Sequence, residues 1–316
     1  MNPSLPNASL KIAVVVPTLG RPAELRRMLR SLDAQSHLPD QVIIIDESEE
    51  GRDVAEGLPR LNIQFHALKR GSTSAKRNLG ARFAAPDMTL ISFLDDDIVL
   101  EPDAMEAMLR FWETASPEVG AASFNLANRT PLTARWLKSR RIARWLGLSS
   151  PQPGAVLRSG IQTRIDPLQD TAYVEWLATT AVVFRRDVLR GFAFDDFFEG
   201  YGYLEDLEFT YRVAKKYKLA VVANARVWNY PSPVGRDRPY FFGKKEVINR
   251  LYFVCKNKEL SVVLCLLALF VRMLMSLSLG IWGREFGLIR RAGGNCTGMF
   301  SVFFRGLQPV RRDSDP

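Results

Sequence analysis

Histidine is almost absent from this chain, with His37 and His66 the only two in 316 residues. That scarcity argues against a histidine-rich metal centre or a Ser-His-Asp triad, and leaves carboxylates to carry proton transfer in any enzyme reading. Cysteine is sparse too: Cys255, Cys265 and Cys296 form an odd set without metal-ligand spacing, which points to a reducing compartment and no disulfide framework. The N-terminus carries no basic n-region, and its first apolar run, Ile12 to Val16, is too short for a signal peptide and reads as a first strand. Negative charge is scarce in the C-terminal third. Residues 209–316 hold 19 Lys/Arg against 6 Asp/Glu, while residues 1–208 hold 24 against 28, so the net charge of +9 divides into +13 and −4. An anionic partner, nucleic acid or an acidic membrane surface, would be met by that last third.

What the chain does contain is an ordinary globular complement, 47% hydrophobic and 24% charged, enough for one large domain and an appendage. Lys11 to Val16 is a β-branched strand, and after the Gly20-Arg21-Pro22 turn the spacing of Leu25, Met28, Leu29 and Leu32 predicts a helix over 23–32. Val42 to Ile45 is a second buried strand, so residues 11–45 read as a strand–helix–strand unit with parallel strands and a right-handed crossover. A third strand is expected over 62–68, a helix over 72–85, a strand over 88–94, a helix over 101–112 and a strand over 119–124. Residues 173–184 are strand-like, and a helix opens at Arg185-Arg186-Asp187. This alternation predicts a doubly wound α/β sheet with ligands at the C-terminal strand ends, where Asp46 and Asp95 to Asp97 fall.

Asp95-Asp96-Asp97 is the most informative stretch. Three carboxylates between Leu90-Ile91-Ser92-Phe93-Leu94 and Ile98-Val99-Leu100 repel one another and lose solvation, so they call for a positive partner. A divalent cation carrying a diphosphate is one such partner, and a solvated acidic turn is the plainer alternative. Further on, Leu204, Leu207, Tyr211 and Ala214 share one helical face. Glu205, Asp206 and Glu208 then lie in a first turn, where the macrodipole favours negative charge.

Five pieces in order, Val-Val-Val-Pro-Thr at 14–18, Ile-Ile-Ile-Asp-Glu-Ser at 43–48, Ala-Lys-Arg-Asn-Leu-Gly at 75–80, Leu-Asp-Asp-Asp-Ile at 94–98 and Glu-Asp-Leu-Glu-Phe-Thr-Tyr-Arg at 205–212, resemble the inverting family 2 glycosyltransferases of GT-A fold. The resemblance covers roughly residues 11–230 and implies a nucleotide-diphosphate sugar donor, UDP or dTDP favoured, with Mg²⁺ or Mn²⁺. By that resemblance Pro17, Thr18, Asp46, Arg77, Asp95 and Asp96 serve the donor nucleotide. Asp97, with Asp95, serves the metal, and Asp206 is the general base with Glu205 beside it. Two departures stand out. Glu47 follows Asp46, which leaves uracil and thymine both open. Asn229 occupies the place where many members carry a metal-side histidine, and offers only a weaker, neutral oxygen.

The expected organisation is a flexible N-terminus over 1–10, a GT-A domain over 11–240 and a membrane-associating helical region over 241–316. Leu260 to Gly283 contains one charge, Arg272, and is long enough to span a bilayer. Its central arginine and basic flanks favour instead a helix lying in the interface with Arg272 reaching lipid phosphates, and a core helix is the alternative. The basic run over 129–160, with Arg135, Lys138, Arg140, Arg141 and Arg144 interleaved with Trp136 and Trp145, reads as a solvated helix face or an amphipathic membrane segment. Met299 to Phe304 is a second apolar patch, and 311–316 look disordered. The whole reads as an enzyme peripheral or monotopic at the inner face of the cell membrane, passing a sugar to a lipid-linked or saccharide acceptor. A nucleotidyltransferase would need a better glycine-rich phosphate loop than Gly20-Arg21-Pro22. A nucleic-acid-binding protein would need a basic tail less interrupted by Leu, Val and Met, so no nucleic-acid partner is expected.

Overall fold

Strand β1 (Ile12–Thr18) is buried along its whole length, and its side chains divide by parity between two cores. Ile12, Val14 and Val16 enter one cluster with Leu25, Met28, Leu29 and Leu32, whereas Ala13 and Val15 enter another with Phe93, Phe184 and Phe209. A strand alternates its side chains between faces, so continuous burial means both faces of the sheet are covered. In the computed structural model the described residues are 10–69, 71–129, 144, 149–200, 202–232 and 238–310. The expectations for residues 1–9 and 311–316, and most of those for the basic run over 129–160, lie outside them.

Helix α1 (Pro22–Asp33) starts with proline at its first position, which costs nothing where no N–H partner exists, and buries Leu25, Met28, Leu29 and Leu32 on one stripe. Full burial of such a side chain is worth about 1.5–3 kcal/mol each. β2 (Gln41–Asp46), the short α2 (Arg52–Glu56), β3 (Ile63–Ala67), α3 (Thr73–Phe83) and β4 (Leu90–Leu94) continue the alternation. Ser72 caps α3 by accepting the Ala75 N–H. Strands β1 to β4 are parallel in the order 3-2-1-4, as the strand–helix–strand reading expects, and Thr18 stands directly beside Asp46.

Beyond β4 the sheet becomes mixed. The remaining elements are β5 (Ile98–Leu100), α4 (Ala104–Thr114), β6 (Val119–Leu126), β7 (Ala172–Val174), β8 (Ala181–Arg185), α5 (Arg186–Gly191), α6 (Glu205–Ala214) and β9 (Lys218–Asn229). The strand-like stretch 173–184 divides in two, because β7 pairs β9 while β8 inserts antiparallel between β4 and β6. Between them Leu177 leaves the ladder, exchanging hydrogen bonds with the Thr210 hydroxyl of α6. The long β9 runs parallel to β6 and then antiparallel to β5, so Asn229 meets Ile98 beside the acidic loop.

Three helices close the described chain: α7 (Pro239–Lys256), α8 (Val262–Trp282) and α9 (Phe286–Arg305). α7 belongs to the main core, where Val247, Leu251, Phe253 and Val254 join Phe209. α7 and α9 cross closely at glycines, since a Cβ on Gly243 would come within 2.1 Å of the Arg291 carbonyl and one on Gly294 within 1.9 Å of the Tyr240 carbonyl. α8 is different. It is long and apolar enough to cross a membrane, with mean hydropathy 2.4, yet only 17% of its most apolar window is buried. Val263, Phe270, Leu274, Ile281 and Trp282 face outward, as do Phe286, Phe300, Phe303 and Phe304 on α9. α8 is therefore not a buried core helix. Within the structure Arg272 is anchored by Glu246 of α7 at 2.9 Å, a protein partner that its own helix gives no sign of.

Candidate active site

The three consecutive aspartates turn to three different partners. Asp95 accepts from Arg77 Nη2 at 2.8 Å, and Asp96 accepts from the Thr18 hydroxyl at 2.6 Å and from Arg21 Nη1 at 3.1 Å. Asp97 accepts the Ser232 N–H at 3.2 Å, while its own carbonyl takes the Tyr230 N–H at 2.8 Å. The acidic loop is thus pinned to α3, to the end of β1 and to the segment after β9. Asp96 is 3% exposed, with both oxygens engaged from within the protein, so it fixes the loop. Asp95 and Asp97 are each partly exposed. Burial pushes the Asp95 carboxyl up to about 7; Asp97 and Asp96 add to the rise and Arg77 opposes it.

Arg77 is 3% exposed and joins the two halves of the site. Its Nη1 donates to Glu205 Oε1 at 2.5 Å, while Nη2 holds Asp95. Burial alone would disfavour this cation, but the Asp95 and Glu205 carboxylates outweigh it and raise its pKa. Glu205 also takes the Ser74 hydroxyl at 2.6 Å, and burial lifts its pKa. The chain is shaped for that placement: Leu204 adopts φ +73° immediately before α6, and a Cβ on Gly202 would lie 2.0 Å from Glu205 Oε2. A buried leucine in the left-handed region is uncommon and strained. It starts α6 so that Glu205 points back to α3.

Asp206, the next residue, therefore points elsewhere, since successive helix positions are about 100° apart. It is partly exposed and accepts the Leu207 N–H at 2.7 Å. Burial raises its pKa, with the Leu207 N–H and the positive charges of Arg77 and Arg129 working against the rise. A carboxylate held above its ordinary range, with no direct cation partner among the described residues, is a competent proton acceptor.

At the other end of the cleft, Pro17 and Thr18 close β1 among buried residues. Asp46, 1% exposed, accepts the N–H groups of Gly20 and Ser48, both at 3.1 Å, and so orders the loops after β1 and β2. Lys76 donates to the Thr18 carbonyl at 2.7 Å and pairs with Glu47 at 2.9 Å. Asn229 exchanges backbone hydrogen bonds with the Asn128 side chain, leaving its own buried Oδ1 without a partner. Among the described residues no three His, Cys, Asp or Glu side chains converge as a metal cage. The sequence reading gave no role to Arg21, Ser74, Lys76 or Arg129. Lys76 and Ser74 flank Arg77 on α3, where a residue one position away could have been suspected; Arg21 and Arg129 carry no local signal.

The glycosyl transferase family 2 model matches residues 13–188, which contain β1 from its second residue, β2 to β8 and the acidic loop. An uncharacterized glycosyltransferase of Haemophilus influenzae is 32% identical over 103 residues, 32% of this chain and 34% of that protein. The uncharacterized glycosyltransferase YwdF of Bacillus subtilis is 32% identical over 108 residues, 34% of this chain and 40% of its own. The aligned part thus spans about a third of the length of these curated relatives. Among solved structures, S. aureus TarS 1–349 in complex with UDP superposes with TM-score 0.55 at 15% identity, covering 86% of this chain and 74% of that one. The mannosyltransferase PcManGT from Pyrobaculum calidifontis, in complex with GDP-Man and Mn²⁺, superposes with TM-score 0.51 at 15% identity, covering 95% and 83%. At such identities the likeness establishes the GT-A-like fold. With the family model matching more than half its length, this chain belongs to glycosyl transferase family 2.

Proposed function

We propose that the protein transfers a sugar, with inversion, from a nucleoside diphosphate donor to a lipid-linked acceptor during glycan assembly at the cytoplasmic face of a membrane. The observation that carries this reading is the double grip of Arg77, which ties the acidic loop at Asp95 to the base helix at Glu205. A reaction centre between Asp97 and Asp206 then has the leaving diphosphate on one side and the attacking hydroxyl on the other. Thr18, Asp46 and Pro17 border the nucleotide, with Lys76 and Arg77 supplying positive charge near it. The solved relatives are complexes with UDP, UDP-GlcNAc and GDP-Man, which supports a nucleotide-sugar donor; a UDP or dTDP sugar remains the favoured class.

A divalent cation fits the residues present. Asp97 offers a carboxylate, and Asn229, one ladder step away, has an orphaned buried amide oxygen. Two oxygen donors without a full cage suit Mg²⁺ or Mn²⁺, which keep the rest of their shell for water and phosphate. When bound, the ion would neutralise charge on the departing diphosphate. The protein's own work is proton transfer and positioning. Asp206 takes the hydroxyl proton as the acceptor oxygen bonds to the anomeric carbon; the carbon–oxygen bond to the diphosphate breaks with its electron pair on the leaving group. Arg77 and Glu205 hold the helix that carries the base.

Asp206→Asn keeps shape and removes basicity. Nucleotide binding by calorimetry should stay near wild type while transfer falls by at least about 100-fold, the lower range for a placed base. Near-normal transfer by Asp206→Asn with an inactive Glu205→Gln would move the base one residue back, and two active variants would remove α6 from the chemistry. A panel of nucleotide sugars with Mn²⁺ or EDTA, scored for donor hydrolysis, identifies the donor.

A further inference from the structure

Beside the site just described lies a cleft of about 680 Å³ whose charged lining is entirely basic: Arg129, Arg164, Arg250 and Arg272. Gln162 and Asn229 join them, so the cleft opens onto the metal-side end of β9. None of the donor-side residues Thr18, Asp46, Lys76 or Arg77 lines it.

Arg250 is the anomaly. It is 1% exposed, among the largest fully buried side chains, and donates only to neutral acceptors, the Gly160 carbonyl and Gln162 Oε1 at 2.8 Å. Its Nε has no partner, and no carboxylate pairs with it among the described residues. A buried guanidinium without a counter-ion costs several kcal/mol, a cost that persists where an anionic ligand repays it. Arg129 repeats the pattern more mildly. It donates to the Ile165 carbonyl at 3.1 Å, and burial together with nearby Arg164 lowers its pKa. Acids do approach the cleft, but they are outnumbered: Asp166 pairs with Arg164 at 2.8 Å, and the single Glu246 serves both Arg272 and Arg291.

Two further features orient the ligand. Tyr203, three residues before Asp206, lines the cleft, so the cleft reaches the start of the helix that carries the candidate base. Arg272, also in the lining, sits midway along α8, with about 15 Å of helix to either side. That helix turns Val263, Phe270, Leu274 and Ile281 outward.

We infer that this cleft is the acceptor site and grips the phosphate or diphosphate head of an amphiphilic acceptor, whose apolar chain leaves past Arg272 along α8. This rests on reading the protein as a transferase working at a membrane, and it names the acceptor by class. A diphosphate held by Arg129, Arg250 and Arg272 places the first sugar beyond it toward Asp206. Arginine suits this role because its planar fork matches phosphate oxygens.

The test is flotation of the full chain with neutral phosphatidylcholine vesicles doped either with a long-chain isoprenyl diphosphate or with the corresponding alcohol. Diphosphate-doped vesicles should bind at least about tenfold more tightly, because hydrogen bonds to a charged group are worth roughly 1.5–3 kcal/mol. Soluble inorganic pyrophosphate should compete. Arg129→Gln, and Arg250→Lys as a charge-conserving variant of the buried position, should each lose most of that preference while keeping wild-type nucleotide affinity and thermal stability. Equal binding to both vesicles would overturn the proposal, as would pyrophosphate binding without any vesicle preference, which would mean a soluble phosphorylated acceptor. Nucleotide affinity lost in parallel would assign the cleft to the donor's diphosphate instead. Flotation requires no turnover, so failure here leaves the transferase reading to be judged by Asp206→Asn alone.

Discussion

Two buried ionic knots, one in the sheet domain and one among the C-terminal helices, are built with opposite stoichiometry. In the sheet domain a single guanidinium, Arg77, is shared by two carboxylates, Asp95 and Glu205. In the C-terminal helices a single carboxylate, Glu246, is shared by two guanidiniums, Arg272 and Arg291. The first leaves negative charge in excess, and Asp97 and Asp206 lie next to it; the second leaves positive charge in excess, and Arg250 and Arg129 lie near it. Desolvated charge of one sign is costly unless something of the other sign arrives. The contrast therefore points to two different visitors, a cation with its diphosphate at the sheet end and an anionic group at the helical end. The division of net charge along the chain, −4 and then +13, shows the same polarity.

The sharpest way to break the contrast is at its acidic end. Asp97→Ala should reduce transfer by about 100-fold or more, and EDTA should do the same to the wild type, since leaving-group neutralisation is worth several kcal/mol. Full activity in EDTA would mean that protein cations alone balance the diphosphate, and the metal reading would fall.

At the basic end, Glu246→Gln leaves Arg272 and Arg291 facing each other without their shared anion. Glu246 is 1% exposed, while Arg272 is 39% and Arg291 24% exposed, so water recovers part of the loss. A destabilisation of about 2–3 kcal/mol in urea is expected, below the range for fully buried pairs. Burial would raise the Glu246 pKa, but the two arginines outweigh it and hold the carboxyl below its ordinary range. Its stabilising contribution is then present above the unfolded-state value, about 4.3, and lost as pH falls through the lower folded value. The wild-type advantage over Glu246→Gln should shrink on acidification; an advantage that grew would refute the pairing.

Outside both knots, Trp282→Glu and Phe303→Glu alter side chains that are 86% and 82% exposed. Stability should change by less than about 0.5 kcal/mol, as for surface positions generally, while sedimentation with vesicles should fall clearly. Unchanged sedimentation would detach the apolar helices from any membrane role.

The smallest effect sharpens the link between the ends. As the proposed base, Asp206 would work only when ionised, and burial raises its pKa, so the acid limb of the pH–rate profile should lie above that of a water-exposed aspartate. Arg129 opposes that rise. Arg129→Gln should therefore move the limb to higher pH, by a fraction of a unit; a limb moving down would separate Arg129 from the base.

Much of this was legible in the chain itself. Uninterrupted apolar runs at 12–16 and 42–45 required a sheet covered on both faces, and helical spacing at 23–32 supplied one cover. The motif acids fell at strand ends because period and turn signals are local. What sequence did not reveal depended on distance in the chain. Arg77 meets Glu205 across 128 positions, and whether Asp95, Asp96 or Asp97 faces the cleft depends on partners as remote as Thr18 and Ser232. Along its own apolar helix Arg272 has no partner but lipid; its carboxylate stands 26 positions earlier on another helix. The basic cleft draws its arginines from the end of β6, an irregular loop, α7 and α8, so no stretch of sequence contains it. Local pattern determines which faces are apolar and where acids end a strand, because those depend on neighbours within a turn or two. Which charges share a partner, and which are left wanting one, only the tertiary structure decides, because the packing that removes water also chooses the counter-ion.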